Sequence, residues 1–469
     1  MADRVVRTLF IGAVALAGLV LAGCRVNPVT GTREFMLVPE SQEVQLGHRN
    51  HPDIIFMYDG EYHDPELNRY LGTIVMRLHE VSHRPEMPME FTMLNTSVIN
   101  AFATPAHVYA TRGFLSRLEN EAQFAAVMGH ELTHVAAGHS AKRLSNNLLV
   151  SLAVGAADLA VGESGIGQLA VGAGQAGITL LGLSYSRDQE RQADRVGTYY
   201  MALAGWDPQQ SVTMQKLLQS FNEREPMILD RYLSTHPMSD DRIQQIRAVI
   251  QQKELDSGYV QGDGVYEDRW DRRLTRLRQV DKDFEPYDRG MEMLSQKRFD
   301  EALGAANQAI ANRDDQAPFF RLKGDALLGL GMIDQAKTAY RRSLQVDERY
   351  VLANIGLGRA YLAEGNQEAA EQEFEKAARD YPGSATALYG LGTARFNQRR
   401  YEEAILPLQN VAAAAPGNPQ PHYMLAVSYD KLGETARAYE AYQNALAAGL
   451  GGEDRVHAET RVESLTPTR

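Results

Sequence analysis

The chain has 469 residues, 44% hydrophobic and 23% charged, a composition ordinary for a globular protein of two or three domains. Its formal net charge of −12 argues against nucleic-acid binding, which requires a basic surface. It holds one cysteine, which excludes a disulfide within the chain.

The amino-terminal segment has the features of a secretion signal. Arg4 and Arg7 precede an apolar run over residues 9–20, which is short for a transmembrane helix. The run is followed by Leu-Ala-Gly-Cys24, which resembles a bacterial lipobox. We therefore predict a signal peptide at residues 1–23. A plain signal peptide and a membrane anchor are the alternatives.

The lipobox resemblance implies that Cys24 becomes the first residue and carries lipid. Residues 24–50 would then form a lipidated amino-terminal tether. Arg25 stands where an aspartate would retain a lipoprotein at the inner membrane, which favours the periplasmic face of the outer membrane. Several acyl chains together would hold strongly, because one chain alone gives only marginal membrane binding.

The sequence His130-Glu131-Leu-Thr-His134 predicts a zinc-binding helix with a catalytic base in it. Two imidazoles four residues apart lie on one helix face, about one turn (~5.4 Å) apart, and can bind one zinc ion. Glu131 is then placed to take a proton from a water that the zinc activates. Asn120 with Gln123 predicts the helix start as a variant of the capping box. The alternative is a surface helix with two unrelated histidines.

A hydrolytic zinc site needs a third protein ligand. The metzincin continuation would place a glycine and a histidine at positions that hold Ala137 and Ser140, so that class is excluded. His139 points off the ligand face, which favours packing or a bond to a ligand imidazole. Glu190 and Asp194 are four residues apart, so one can reach zinc while the other orients a ligand. A solvated charge run is the alternative for these two carboxylates.

The motif His-Glu-Leu-Thr-His followed by Tyr185-Ser-Arg-Asp-Gln-Glu-Arg-Gln-Ala-Asp194 resembles the gluzincin metallopeptidases of the HtpX and CAAX-prenyl-protease type. The resemblance implies zinc ligands at His130, His134 and Glu190, a general base at Glu131, and support of the site by Asp194. It covers residues 27–250, with further matches in six short segments: Asn27–Gly31, Glu43–Gly47, Asn100–Ala103, Val108–Gly113, Ser234–Pro237 and Asp241–Ile243.

Two further roles follow from that resemblance. His236 would be a fourth, displaceable zinc ligand or an oxyanion stabiliser; the alternative is a turn residue fixed by Pro237. A strand at Val108, Tyr109, Ala110 and Thr111 would lie beside the active site as an exposed edge that pairs with extended substrate.

Residues 148–183 separate the two site motifs and are rich in glycine, with only Asp158 and Glu163 charged. The segment is too weakly apolar for a membrane span. We predict a mobile, partly buried lid near the active site, because loops without bulky anchors open at low cost.

The second half repeats every 34 residues. Alanine recurs at 302, 336, 370, 404 and 438, and glycine at 290, 324, 358 and 392. This period is the tetratricopeptide signature, in which small residues let two helices cross closely. We predict five repeats at residues 286–448, a connector at 256–285 and a carboxyl-terminal cap at 449–469. Such arrays present a concave groove to partners; the alternative is that the array only stabilises the protease.

The predicted fold is therefore mainly α: an α+β gluzincin protease domain with a small sheet at residues 51–255, then an all-α solenoid. The predicted function is zinc-dependent endopeptidase of the bacterial envelope, with one zinc ion per chain, degrading misassembled outer-membrane or periplasmic proteins. The resemblance implies outer-membrane assembly machinery as partner of the repeat groove, besides the membrane at Cys24. The alternative is a chaperone or scaffold for outer-membrane protein assembly with a largely autoinhibited zinc site.

Overall fold

The computed structural model describes residues 24–146, 184–224, 232–237, 240–252, 255 and 260–465. The described chain is mainly helical, and it divides into two compact units between Lys282 and Asp283. This confirms the predicted fold class. None of the helices in these ranges combines the length and the apolar character that a membrane crossing requires. The predicted signal peptide and the predicted lid at residues 148–183 lie outside the described residues.

In the first unit, helices pack around two small sheets, one of two strands and one of three. Its strands are β1 Cys24–Val26, β2 Arg33–Phe35, β3 Glu90–Leu94, β4 Ala101–Thr104 and β5 His107–Thr111. Its helices are α1 Glu40–Met57, α2 Pro65–Glu80, α3 Arg112–Leu115, α4 Glu121–Ala136, α5 Arg187–Leu203, α6 Gln209–Arg224, α7 Asp240–Gln252 and α8 Glu267–Asp283. Helix α4 is central, because it packs against α2, α5, α6 and strand β4.

The three-stranded sheet has the order β3-β5-β4. Strand β5 pairs with β3 in parallel and with β4 antiparallel, and all five of its residues are buried. Strand β4 is therefore an edge of this sheet. It also packs on α4.

The segment after Cys24 is folded onto the first unit. Strands β1 and β2 form an antiparallel hairpin in which Cys24 pairs with Phe35. The Asn27 side chain donates a hydrogen bond of 3.1 Å to the carbonyl of Ala137, which caps the carboxyl end of α4. The predicted tether thus starts with a strand that is hydrogen-bonded close to the zinc-binding motif.

Helix α8, in the segment predicted as a connector, packs within the first unit. Its apolar side chains Trp270, Leu274, Leu277 and Val280 are buried. The Trp270 indole donates a hydrogen bond of 3.0 Å to the carbonyl of Leu118, just before α4. The exposed face of α8 carries charged side chains, among them Glu267, Asp271 and Arg272.

In the described residues, the second unit consists of five helix pairs followed by a single helix. Their bounds are α9 Glu285–Ser295, α10 Phe299–Asn312, α11 Ala317–Gly329, α12 Ile333–Val346, α13 Val351–Glu364, α14 Gln367–Asp380, α15 Ala385–Asn397, α16 Tyr401–Ala414, α17 Pro419–Lys431, α18 Thr435–Ala447 and α19 Gly452–Leu465. Each of the five repeating alanines is fully buried in the second helix of a pair. A Cβ at Gly358 would lie 2.9 Å from the Phe374 ring, so the small residue is what allows the pair to cross.

Candidate metal centre

Helix α4 carries the histidine motif and is buried along its whole length. Its start is as predicted: the Asn120 side chain accepts a hydrogen bond of 2.9 Å from the Gln123 amide. In a capping box, the side chain at position 123 would also accept a hydrogen bond from the backbone N–H of Asn120. Here the Gln123 side chain accepts instead from the backbone N–H of Glu119. A helix that is covered on all sides places both histidines away from bulk solvent, in surroundings where electrostatic interactions are strong.

Two glycines bring helix α5 against α4. A Cβ at Gly197 would lie 2.6 Å from the amide nitrogen of His130, and a Cβ at Gly129 would lie 2.8 Å from the carbonyl oxygen of Gly197. The two backbones therefore touch where the first histidine stands. This crossing places Glu190 and Asp194, on the preceding turns of α5, beside the histidines of α4.

Four predicted residues converge: one donor atom from each of His130, His134, Glu190 and His236 lies within 4.8 Å of the others. The Nε2 atoms of His130 and His134 are 3.0 Å apart. The Glu190 carboxylate lies 3.5 Å from the first of these atoms and 3.4 Å from the second. Nδ1 of His236 lies 3.1 Å from that carboxylate and 3.4 Å from Nε2 of His130.

These spacings fit a four-coordinate metal ion. Ligand atoms at ~2.0–2.1 Å from a tetrahedral centre are about 3.3 Å from each other, close to the separations observed here. Burial raises the pKa of the Glu190 carboxyl, but the charges of His236 and His130 outweigh it and hold that pKa well below its usual range. Burial also keeps the pKa of His134 well below 6.5. An ionised carboxylate and a neutral imidazole are the forms that bind zinc and similar divalent ions.

The negative charges around His130 also favour a cation beside its imidazole ring. Burial lowers the pKa of its imidazole, yet the carboxylates of Glu190 and Asp194 outweigh burial and raise it to about 10. The same negative surroundings would stabilise a metal ion in place of the second ring proton.

In each histidine of α4, the ring nitrogen that is not part of the donor group contacts another side chain. Nδ1 of His130 is 2.9 Å from the Asp194 carboxylate, and Nδ1 of His134 is 2.8 Å from Nδ1 of His139. His139 in turn contacts the Gln192 side chain at 3.1 Å. Such contacts fix the ring orientation and the tautomer of a metal-binding imidazole. His139 lies outside the donor group itself.

Arg242 is a site residue to which we assigned no role from the sequence. Its guanidinium is buried and contacts both oxygens of Asp194, at 2.6 and 2.7 Å, and the Glu190 carboxylate at 3.1 Å. It therefore fixes a metal-donor carboxylate and a supporting carboxylate together. The available signal was its place six residues after His236, but spacing alone does not reveal which acids a buried arginine meets.

Glu131 points into the site beside the donor group. Within the described residues its two carboxylate oxygens have no hydrogen-bond partner, and the nearer contact is Nε2 of His236 at 3.5 Å. Burial raises the pKa of this carboxyl. A buried carboxylate with free lone pairs and a raised pKa is a good proton acceptor.

A cleft opens beside His236 between the edge strand β4 and helix α1. Phe102 and Thr104 line it from β4, and Leu46 and Asn50 from α1. The prediction that Val108, Tyr109, Ala110 and Thr111 form an exposed edge is therefore wrong. These residues lie in β5, whose backbone groups already bond to a strand on each side.

Two comparisons of the sequence, with protein families and with curated proteins, agree with this architecture. The sequence profile of peptidase family M48 matches residues 65–250, and tetratricopeptide repeat profiles match residues 321–385, 368–419 and 422–448. The β-barrel assembly-enhancing protease of Escherichia coli (strain K12) is 28% identical over 379 residues, 73% of this chain and 74% of that protein. The mitochondrial metalloendopeptidase OMA1 of Schizosaccharomyces pombe is 28% identical over 224 residues, 47% of this chain and 64% of that protein. A solved structure of a thermophilic TPR protein from Thermus thermophilus covers 39% of this chain and 99% of its own, with 20% identity and a TM-score of 0.32.

Proposed function

Since residues 65–250 are a peptidase family M48 domain with tetratricopeptide repeats after it, we propose that this metalloendopeptidase is a zinc enzyme of the bacterial envelope. Its substrates are misassembled outer-membrane or periplasmic proteins. The observation that carries the proposal is the convergence of two imidazoles and a carboxylate beside the buried Glu131. The envelope location is taken from the relatives named as β-barrel assembly-enhancing proteases and from the lipobox-like sequence before Cys24.

In this proposal His130, His134 and Glu190 hold the zinc ion. When bound, zinc supplies Lewis acidity that activates water and polarises the scissile carbonyl. Glu131 accepts the proton of the attacking water and later delivers it to the leaving amine. Asp194 orients His130 through their bond of 2.9 Å, so that its other ring nitrogen is directed toward the donor atoms of His134 and Glu190, where the metal ion would be held.

The substrate binds as an extended segment in the cleft beside β4. That strand supports this role because it is a sheet edge, it lines the cleft, and it packs on the helix that carries Glu131. Main-chain pairing reads the backbone more than the side chains, which suits an enzyme that acts on unfolded chains.

His236 supports a second candidate function, that of a chaperone or scaffold with a largely autoinhibited zinc site. Its Nδ1 completes the group of four donor atoms, so it can occupy the position that a reacting water needs. On displacement the same ring can stabilise the oxyanion. In both candidates the repeats bind clients or outer-membrane assembly machinery, and lipid on Cys24 attaches the chain to the membrane.

The test compares Glu131→Gln with Glu119→Gln, the same change at an exposed residue just before the helix. We expect both proteins to bind one zinc ion by elemental analysis, and only Glu131→Gln to lose cleavage of an unfolded envelope protein. Cleavage that persists in Glu131→Gln would show that another group is the base.

Complementation of a deletion strain separates the two candidates. Rescue by Glu131→Gln but not by a chain lacking residues 286–469 would favour the scaffold. Failure of Glu131→Gln to rescue would favour the protease.

A further inference from the structure

A pocket that the proposed mechanism does not use opens between helices α2 and α8. It has a volume of about 420 Å³, and four arginines line it: Arg69 and Arg77 from α2, and Arg269 and Arg273 from α8. We call it the arginine pocket. None of the described residues that line it belongs to the group of metal donors or to the cleft beside β4. It is therefore a separate feature of the first unit.

The arginine pocket is positively charged, although the chain as a whole has a formal charge of −12. Its four guanidinium groups are accompanied by two carboxylates, those of Glu66 and Glu121, which leaves two positive charges. Within the described part of the chain, Arg69 contacts no carboxylate, and Arg77 donates instead to the backbone carbonyl of Ala204 at 2.5 Å. The pocket thus offers an anion two cations that no described acid neutralises.

The other two arginines are paired with acids of the pocket. Nε of Arg269 donates to the buried Glu121 carboxylate at 2.6 Å, and its guanidinium carbon lies 3.9 Å from the centre of the Tyr266 ring. Arg273 contacts the exposed Glu66. Exposed ion pairs contribute little stability, so an incoming anion can replace Glu66 at Arg273. Because Arg269 is already held in one orientation, little side-chain freedom is lost there on binding.

The chemistry of these groups favours phosphate over other anions. Every basic residue that lines the pocket is an arginine, and a planar guanidinium can donate two parallel hydrogen bonds to phosphate oxygens. A terminal phosphate group carries more than one negative charge and three acceptor oxygens, so it can bind guanidinium groups from both helices at once. A single carboxylate has one charge and two oxygens, and it would leave most of the four arginines without a partner.

We propose that the arginine pocket binds a ligand through a phosphate group. The ligand is either a free phosphate compound or a phospholipid whose headgroup enters the pocket. The phosphate oxygens accept hydrogen bonds from Arg69 and Arg77 on one side and from Arg273 on the other. Peptide cleavage has no part in this proposal, so it does not depend on the proposed function.

The experiment uses the full-length zinc-loaded protein and its intrinsic fluorescence. The chain has two tryptophans, and both lie beside the pocket: the Arg77 guanidinium carbon is 4.4 Å from the centre of the Trp206 ring, and the Trp270 and Tyr70 ring centres are 6.4 Å apart. Pyrophosphate is titrated beside sodium chloride of equal ionic strength, because salt screens exposed charges. We expect saturable binding of pyrophosphate by fluorescence and by calorimetry. Absence of saturable binding in both measurements would refute the proposal.

The informative variant is Arg69→Gln, because Arg69 is exposed and its loss should leave the fold and the metal content unchanged. It should bind pyrophosphate about tenfold more weakly, as for the loss of one charge-assisted contact. The matched control is Arg272→Gln, which removes the same charge from an exposed residue of α8 that does not line the pocket. It should keep the wild-type affinity. Equal weakening in the two variants would show a response to overall charge and would overturn the proposal.

Two further titrations identify the ligand class. Vesicles of phosphatidylcholine and phosphatidic acid in equal parts are tested for co-sedimentation with the protein. Co-sedimentation that pyrophosphate prevents and that Arg69→Gln loses would assign a lipid headgroup, whereas pyrophosphate binding without it would assign a free phosphate compound. Tighter binding of a tetraglutamate peptide than of pyrophosphate would overturn the proposal, because the pocket would then select carboxylates.

Discussion

The crossing of α4 and α5 gives the sharpest prediction, because it links one methyl group to metal binding. In Gly197→Ala the new Cβ would lie 2.6 Å from the amide nitrogen of His130 and 2.7 Å from the carbonyl carbon of Gly129. Both neighbours are backbone atoms, which cannot turn aside as a side chain can. Ordinary van der Waals contact begins at 3.4 Å, whereas the new Cβ would lie 2.6 Å from the His130 amide nitrogen. The helices must therefore separate locally by about 0.8 Å, which is the difference between these two values.

The expected cost follows from that displacement. Overfilling a packed core costs about 1–3 kcal/mol. For a unit of this size each kcal/mol lowers the melting temperature by about 2–4 °C. The carboxylates on α5 would move relative to the imidazoles by more than the ~0.5 Å that a metal site tolerates. We therefore expect a lower melting temperature together with a loss of metal.

The assay is thermal unfolding with elemental analysis of the purified protein, beside the matched variant Gly72→Ala. Gly72 lies inside helix α2, and its added Cβ would meet only the Phe91 Cβ at 3.9 Å. That variant should be as stable as the wild type or more stable by about 0.5–1 kcal/mol, because alanine favours helix. Full metal content and an unchanged melting temperature in Gly197→Ala would refute the argument from the crossing.

Three further predictions concern other parts of the molecule. Arg242→Lys keeps the positive charge but loses the two-point contact with Asp194, so the affinity for the metal ion should fall about 10–100-fold in a chelator competition. An unchanged affinity would contradict the role of Arg242 in fixing the Asp194 carboxylate. Gly358→Val would press on the Phe374 ring and should destabilise the repeats by about 1–3 kcal/mol. The purified variant should keep its full metal content, because the metal donors do not depend on the packing of the repeats. A loss of metal together with the loss of stability would contradict this prediction. Burial and two neighbouring histidines lower the pKa of His107 to about 3, so between that value and 6.5 the unfolded chain binds more protons than the folded chain, and the stability of the fold falls as the pH falls. The melting temperature should therefore drop more between about pH 7 and pH 5 in the wild type than in His107→Gln. Equal drops in the two proteins would contradict this prediction.

The sequence predicted the parts of the fold that local patterns determine. The Asn120 cap, the buried zinc-motif helix and the columns of small residues in the repeats each depend on residues a fixed distance apart along one helix. The structure places all of them as such spacing requires. Four of the predicted site residues also converge in the structure. Their convergence was predicted because the family resemblance supplied the long-range pairing, which spacing on one helix cannot give.

What the sequence did not predict depends on tertiary contacts. The order of strands in a sheet is not visible in a five-residue run, so the wrong strand was assigned to the edge. Gly197 gave no signal as the contact point of two helices, since a lone glycine in a helix has several explanations. Arg242 was unremarkable among 48 lysines and arginines until its buried neighbours were known.

The hairpin that starts at Cys24 connects this residue to the metal centre by a short folded path. Asn27 is three residues beyond Cys24 and is bonded to Ala137, three residues beyond His134. Three extended residues span at most about 11 Å, and three helical residues rise about 4.5 Å. If, as proposed, lipid on Cys24 holds the chain at a bilayer in the envelope, we expect the enzyme to cut substrates at the membrane surface in preference to substrates far from it.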